Sequence, residues 1–541
     1  MLIKSVKGML VSLVCLVSLA LFIPHQGLAF DKITFGDKQE LTVWGWLRNN
    51  TGVFFDKQPY QQNDDRLATE RTWLRTYADW KISDQFKFWT AIQFAYEPWY
   101  AVEDGSVSKK GGEEYSEYKN LNDVIREAYF EWSPNKKNNV KIGRQIAIWG
   151  ESLTERVGDV IHPDDSRYAL AFSNLEDSRI PQWMIRSIHD IDPLSSSFEW
   201  IVNPLLVDDK YRVNRSAQFA NPIANQSGQR FAINPEDRFL PPNSVGNTLI
   251  FPQAPGTASP PFSRGWTQLP SFIPGPMAGK WVPTEIPTVK DIYPDNTIND
   301  TRFGFRTSTT AGGYMFGLTY WHTQNYDPLV KRGNLTGNLI QTGPDTFLPE
   351  RQYTLVHPTM DIIGGYMNKQ LPWPGVVRGE AIYSPNKPFN TFDPNVFDGI
   401  VTRDYFKYMV AYDLNSFLYF DWHKTAPIDI SVEHVGEYIP NADNLQYAIY
   451  ATKQPSYVPR FNGRISTNWL YNLISTELVV SYWPWANSGL IMPAVKWTPG
   501  WWNQKFSAEL KYINVYGDNN YEGLGILRTK DMIVLTTQFN F

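Results

Sequence analysis

The last ten residues alternate strictly between two faces. Ile533, Leu535, Thr537, Phe539 and Phe541 fall on one face, and Met532, Val534, Thr536, Gln538 and Asn540 on the other. Successive side chains of a β-strand point to opposite sides of the sheet, so one face here suits lipid and the other mostly suits water. The same period returns upstream. Thr72, Leu74, Thr76, Ala78, Trp80 and Ile82 form an apolar-leaning face opposite Arg71, Trp73, Arg75, Tyr77, Asp79 and Lys81. Phe86, Phe88, Thr90, Ile92, Phe94 and Tyr96 oppose Lys87, Trp89, Ala91 and Gln93, and Ser83-Asp84 between the two stretches is enough for a hairpin turn. Eighteen stretches carry the pattern, near 41–55, 68–83, 84–97, 122–134, 138–149, 178–190, 196–203, 300–309, 311–323, 351–368, 374–384, 404–414, 427–438, 459–468, 473–484, 490–498, 503–516 and 526–541.

Some of these stretches are expected to be loop hairpins or split strands. The chain is therefore read as all-β, a transmembrane antiparallel β-barrel of about 16 strands within a range of 14–18, even numbers being preferred. The terminal aromatics Phe539 and Phe541 are expected to be the signal that the barrel assembly machinery reads. At the other end, Lys4 and Lys7 precede a mostly apolar run from Met9 to Ile23, and Gly27-Leu28-Ala29 offers a small-residue cleavage site. That pattern reads as a signal peptide over 1–29, leaving 30–541 as the barrel in the outer membrane. The single cysteine, Cys15, lies inside the leader, so no disulfide or thiolate metal site is expected beyond it.

Mean hydropathy is −0.37, yet 15% of residues are aromatic. A barrel reconciles the two, because half of each strand faces a polar lumen and aromatic girdles mark both membrane interfaces. A formal net charge of −5 gives no basic footprint for nucleic acid. Residues 204–299 read as one irregular insertion with fourteen prolines between Pro222 and Pro294 and with aromatics such as Trp266, Phe272 and Trp281. Proline is excluded from central strands, and the aromatics exceed what a disordered linker carries. The insertion is expected either to fold into the lumen as a constriction or to cap the mouth. Short helical turns are expected at Glu151–Val160 and Asn415–Trp422.

The most distinctive local sequence runs Lys141-Ile142-Gly143-Arg144-Gln145-Ile146-Ala147-Ile148-Trp149-Gly150-Glu151-Ser152, followed by Ile161-His162-Pro163-Asp164-Asp165. Alternation groups Arg144 with Ile142, Ile146 and Ile148 on the lipid face, where an arginine at mid-depth costs about 2–4 kcal/mol. Either a bulge reverses the parity or Arg144 sits near an interface. This stretch, with Arg378-Gly379-Glu380, resembles a family of Gram-negative outer-membrane proteins known as domain-of-unknown-function family 1302. In that family a strand ending in Arg-Gln and then Trp-Gly-Glu-Ser leads to an Asn-Pro-Asp-like turn, and His162 here replaces the usual Asn. The resemblance implies a barrel that handles hydrophobic molecules such as lipids or sterols, or that works with an inner-membrane exporter.

Candidate residues along a lumenal path are Arg71, Trp73, Arg75, Tyr77, Trp89, Trp149, Glu151, Arg378 and Glu380. Aromatic bodies with polar tips suit amphipathic cargo. The wider inward set mixes signs: Arg71, Arg75, Asp79, Lys81, Lys87, Arg302, Arg306, Arg378, Glu380, Glu477 and Glu509. That mixture argues against a strongly ion-selective pore. His162 beside Asp164 and Asp165, and His434 between Glu433 and Glu437, lack the spacing of a zinc protease. No nucleophile elbow or phosphate loop is found. No enzyme, catalytic residue, metal or cofactor is expected. Two further readings stay open beside transport of hydrophobic or amphipathic molecules. One is a scaffold or sheath barrel for a periplasmic partner such as a multihaem cytochrome, and the other is a general porin. The expected partners are outer-membrane lipid, the assembly machinery, and an exporter or periplasmic protein.

Overall fold

Nineteen strands of the chain, a computed structural model, share one sheet. The structure describes residues 30–35, 39–55, 67–96, 118, 120–165, 175–191, 195–204, 266–268, 281–283, 286–291, 300–343, 346–391, 393, 395–416, 426–447, 452–453, 455–500, 504–518, 523–528 and 531–541. The first strand, Phe30–Phe35, pairs only with the beginning of the second. The other eighteen form a closed antiparallel barrel: β1 Gln39–Phe54, β2 Leu67–Lys81, β3 Phe86–Tyr96, β4 Ile125–Asn135, β5 Asn138–Gln145, β6 Gln182–Ile191, β7 Ser196–Asn203, β8 Arg302–Ala311, β9 Tyr314–Gln324, β10 Thr359–Gln370, β11 Val376–Asn390, β12 Ile400–Ser416, β13 Ile428–Tyr438, β14 Tyr457–Trp469, β15 Ile474–Trp483, β16 Ser488–Trp497, β17 Phe506–Gly517 and β18 Met532–Asn540. β18 closes on β1 through a ladder from Trp46↔Asn540 to Phe54↔Met532. Closure leaves no unpaired edge within the barrel, which is what a low-dielectric surround requires of the backbone.

The strand number is eighteen rather than sixteen. Each of the eighteen alternating stretches of the sequence corresponds to one barrel strand, and none is lost to a loop hairpin. The stretch near 351–368 is divided: Thr346–Val356 leaves the barrel for a separate sheet with Leu329–Gly343 and, in parallel, Ile286–Asp291, and Thr359–Gln370 stays. Ile286–Asp291, Trp266–Gln268 and Trp281–Pro283 give the insertion some strand of its own. The rest of 205–299, residues 1–29 where a signal peptide is expected, and most of Asn415–Trp422 lie outside the described residues.

Short turns, including Ile82–Gln85, Lys136–Lys137, Gly312–Gly313 and Leu470–Leu473, gather at one end with both strand termini, and the long connections gather at the other. The outward face is apolar. Leu74, Phe94, Phe130, Ile142, Phe303, Phe316, Leu318, Ile363, Val410, Val432, Phe461, Val495 and Leu510 are all exposed. Trp80, Phe86 and Trp132 ring the short-turn end, and Tyr96, Tyr438 and Tyr457 ring the other, as expected of residues that sit at membrane interfaces. Phe539, across from Leu47 and Phe506, faces outward. Phe541 extends the seam by exchanging two backbone hydrogen bonds with Gly45 of 2.9 and 3.0 Å. Its ring covers that glycine so closely that a Cβ there would lie 2.7 Å from it.

Arg144 keeps its outward parity, since the register from Ala128↔Arg144 to Trp132↔Val140 has no shift. It lies at the strand end, buried, with Nη1 donating to Asn122 Oδ1 (3.4 Å) beside the short helix α1, Leu121–Val124. The bulge reading is therefore overturned, and Arg144 sits at the end of its strand.

Candidate functional site

Beyond Gln145 the chain does not cross the rim but turns into the lumen. Gly143 prepares the turn: its φ is +140°, and a Cβ would meet the Ala128 carbonyl oxygen at 2.3 Å, so only glycine fits. Residues 146–165 and 175–181 then form a bar inside the barrel. His162 ties its entry to its exit. The Nε2 atom accepts from the Ala147 N–H (2.8 Å), which makes Nδ1 the protonated nitrogen that donates to the Ile180 carbonyl (3.1 Å). The reading of His162 as structural stands. Among the described residues no group of three or more His, Cys, Asp or Glu has the arrangement of a metal site. His434 and its flanking glutamates are separated by parity, the imidazole stacking on Phe461 outside (4.6 Å) and Glu433 fully buried inside.

Burial lowers the His162 imidazolium to about 3 from an ordinary 6.5, with Asp159 opposing and Arg156 and Arg179 assisting. The neutral ring is the one the fold holds. Its contribution is complete above pH 6.5 and is lost progressively as pH falls towards 3, at up to about 1.4 kcal/mol per pH unit. Planar-bilayer current is expected to rise between pH 6.5 and 4.5 as the bar loosens, and His162→Gln is expected to flatten that rise. A wild-type current indifferent to pH in this window counts against His162 as the tie.

The Trp-Gly-Glu-Ser stretch is where the bar meets the wall. Trp149 Nε1 donates to Glu199 Oε1 on β7 (3.0 Å), and its ring meets Trp321 of β9 edge-on at 5.8 Å. The Glu151 carboxylate accepts from Asn368 on β10 (3.1 Å) and Arg306 on β8 (3.4 Å), and its N–H donates to Glu380 on β11 (3.1 Å). Arg378 donates to the Glu151 carbonyl and to both oxygens of Asp413. Glu433 on β13 accepts from Ser152 Oγ (3.1 Å), Leu153 N (2.9 Å), Thr154 N (3.2 Å) and Thr154 Oγ1, and faces Arg378 at 3.1 Å. Arg460 on β14 donates to Glu155 at 2.7 Å. Gly158 presses on Glu380 so tightly that a Cβ would lie 1.9 Å from Oε1. The expected helix at Glu151–Val160 is absent, and the segment is held instead by wall carboxylates that accept from the N–H groups of Glu151, Leu153 and Thr154. Beneath these bonds, Ala147, Trp149 and Ile161 pack with Met184, Ile201, Ile362, Ile382 and Tyr405 as an apolar core inside the lumen.

Of the predicted path residues, Trp149, Glu151, Arg378 and Glu380 thus converge at one contact between bar and wall. Arg71, Trp73, Arg75, Tyr77 and Trp89 line the inner face of β2 and β3, away from that contact. Tyr77 and Trp89 cluster with Trp44 at 5.6 and 5.4 Å from it. Trp73 lies 6.3 Å from Trp46, with the Arg71 guanidinium 5.0 Å from its ring. Arg75 donates to Asp177 on the short helix α2, Leu175–Ser178, at 2.7 Å.

Sequence reasoning missed Trp44, Trp46, Arg48, Asp177, Glu199 and Glu433. Inward parity marked all but Asp177, since each strand residue alternates with an apolar outward neighbour. The lumenal wall at the long-loop end is also more apolar than the alternation suggested. Phe54, Ala68, Ile513, Val515, Met532 and Val534 face inward as one cluster, flanked by Leu490, Met492 and Leu524.

Comparison with curated proteins gives no match. Among solved structures, the chain is similar to Salmonella typhi OmpF in complex with daunomycin (8% identity, 94% of this chain and 100% of that one, TM-score 0.38). It is also similar to the outer membrane channel DcaP of Acinetobacter baumannii (9% identity, 94% and 99%, TM-score 0.38) and to OccAB3 of Acinetobacter baumannii (8% identity, 93% and 99%, TM-score 0.42). The family described as "Protein of unknown function (DUF1302)" matches residues 71–541, which include the bar, the wall residues that hold it and the closing strand, and the chain belongs to that family.

Proposed function

We propose that this chain is an outer-membrane barrel that passes hydrophobic or amphipathic small molecules through a lumen closed by its own bar. The observation that carries the reading is the inner wall of β1–β3 and β16–β18. Apolar side chains from Phe54 to Val534 line it at the long-loop end, and Trp44, Trp46, Trp73, Tyr77 and Trp89 continue it towards the short-turn end. The cluster around Phe54 is already packed with Leu490, Met492 and Leu524, so a cargo with an apolar body gains about 25 cal/mol per Å² on the partly exposed rings of Trp44, Tyr77 and Trp89. The bar supports a gated rather than an open passage, because it is bonded to β7, β8, β10, β11, β13 and β14. An exporter in the inner membrane is the partner that would supply or receive such cargo. The number of those bonds also favours a second reading, a filled barrel that positions a periplasmic partner and passes nothing.

Mass spectrometry of small molecules that co-purify in gentle detergent separates the readings. Lipid-like ligands are expected with the wild type, and severalfold fewer with Trp73→Ala/Trp89→Ala. Free passage of sugars through proteoliposomes with no retained ligand makes the chain a porin. Neither passage nor ligand makes it a scaffold.

A further inference from the structure

We infer that the wall of β1 and β2 carries a binding cradle for a carboxylate-bearing amphiphile, and that Asp177 of the bar occupies it as a built-in stand-in for the cargo's head group. The inference rests on the transport reading above and names its substrate class.

The Asp177 carboxylate is held by Arg75 Nη2 at 2.7 Å and Arg48 Nη1 at 3.1 Å. Neither arginine depends on Asp177 for its aim. Arg48 Nε donates to Gln538 on β18 (2.8 Å), and Arg75 Nε to Gln93 on β3 (2.8 Å). Both guanidiniums also lie against the Trp46 ring, at 4.3 and 4.7 Å from its centroid. Two glutamines and one indole of the wall therefore hold the two-arginine fork through contacts that do not involve Asp177. A preorganised fork of this kind is the geometry that recognises a carboxylate with direction as well as charge. Arg126 stands beside it, donating to the Glu176 carbonyl at 2.5 Å, with Glu127 as its neighbouring carboxylate. Tyr77 completes the surround, its hydroxyl 3.4 Å from Arg75 Nη1.

Two more observations point to a ligand. Trp73, buried at 5% exposure next to Arg48, has an indole N–H with no hydrogen-bond partner. A buried donor left unmade costs about 1–3 kcal/mol, and a head-group oxygen would satisfy it. On the same inner face, towards the short-turn end, the rings of Trp44, Tyr77 and Trp89 cluster and stay partly exposed. From Arg48 to Trp44 an extended strand spans about 13 Å, the length of a medium alkyl chain. The charge at one end and the partly exposed rings at the other match the two ends of a fatty-acid-like molecule. Asp177 belongs to a connection rather than a barrel strand, so exchanging it for the cargo's carboxylate costs no ladder bond.

The test is binding of 12-bromododecanoate and 12-bromododecan-1-ol to the full-length protein in nanodiscs, read by quenching of tryptophan fluorescence. The acid is expected to bind at least about tenfold more tightly than the alcohol. Asp177→Asn, which removes the competitor, is expected to tighten the acid by about tenfold and leave the alcohol unchanged. Arg48→Gln is expected to abolish the preference, and Arg48→Lys, which keeps the charge but not the fork, to restore only part of it. Heat-modifiable mobility verifies that each variant is a closed barrel. Equal affinity for acid and alcohol overturns the cradle and leaves the transport reading standing, as does an Asp177→Asn variant that binds the acid no better. Binding of neither probe overturns both.

Discussion

Glu433→Ala is expected to turn a closed barrel into a conducting one. The carboxylate is fully buried and accepts hydrogen bonds from Ser152, Leu153 and Thr154 while facing Arg378. Its removal strips those donors of their acceptor and leaves Arg378 with Asp413 and the Glu151 carbonyl. Breaking a buried pair by deleting one partner costs about 3–5 kcal/mol, which raises the undocked population of the bar by roughly 10²- to 4 × 10³-fold. Single-channel recording should show larger and noisier openings than the wild type. Glu433→Gln keeps acceptor atoms but not the charge opposite Arg378, so an intermediate trace is expected. A Glu433→Ala variant with the wild-type trace removes the bar from the permeation path.

Deleting Phe541 is expected to reduce the amount of assembled barrel severalfold. The direct loss is small: two backbone hydrogen bonds to Gly45, each worth about 0.5–1.5 kcal/mol net. The larger effect is expected through recognition of the last strand by the assembly machinery, and the two contributions separate with a second variant. In Gly45→Val the terminal aromatic remains, but the new Cβ meets the Arg75 carbonyl oxygen at 2.4 Å and the Phe541 ring at 2.7 Å, so the seam itself is spoiled. The readout is the heat-modifiable band in the outer-membrane fraction. Wild-type levels in the deletion variant rule out Phe541 as the signal. A defect confined to Gly45→Val places the requirement in closure.

The barrel was written in the sequence because its rule is local. A period of two with lipid outside needs only each residue and its neighbours, and it named the inward residues Arg71, Trp73, Arg75, Tyr77 and Trp89 as well as the outward Phe539 and Phe541. It also marked all eighteen strands. Discounting them to sixteen failed because no local feature distinguishes a barrel strand from a loop hairpin, and only the ladder from β18 back to β1 settles the number. The stretch 351–368 shows the same limit from the other side, since its division between two sheets depends on partners at Leu329–Gly343 and on β9.

The bar was legible only in part. Trp149, Glu151, Arg378 and Glu380 stood out as residues, but alternation carries no information about what faces what across a lumen. Glu433 looked like one more inward carboxylate until the tertiary structure set Ser152, Leu153 and Thr154 against it, more than 270 residues away along the chain. For the same reason the sequence suggested a helix at Glu151–Val160: a local apolar pattern carries no trace of the wall side chains that hold this segment. Asp177 had no periodic context, being in a connection, and only closure of the barrel brings it between Arg48 and Arg75. The sequence by itself determined which side of the sheet each strand residue occupies, because that follows from backbone geometry. The tertiary structure alone decided which charges meet inside, because those pairings cross a cylinder whose circumference no local pattern encodes.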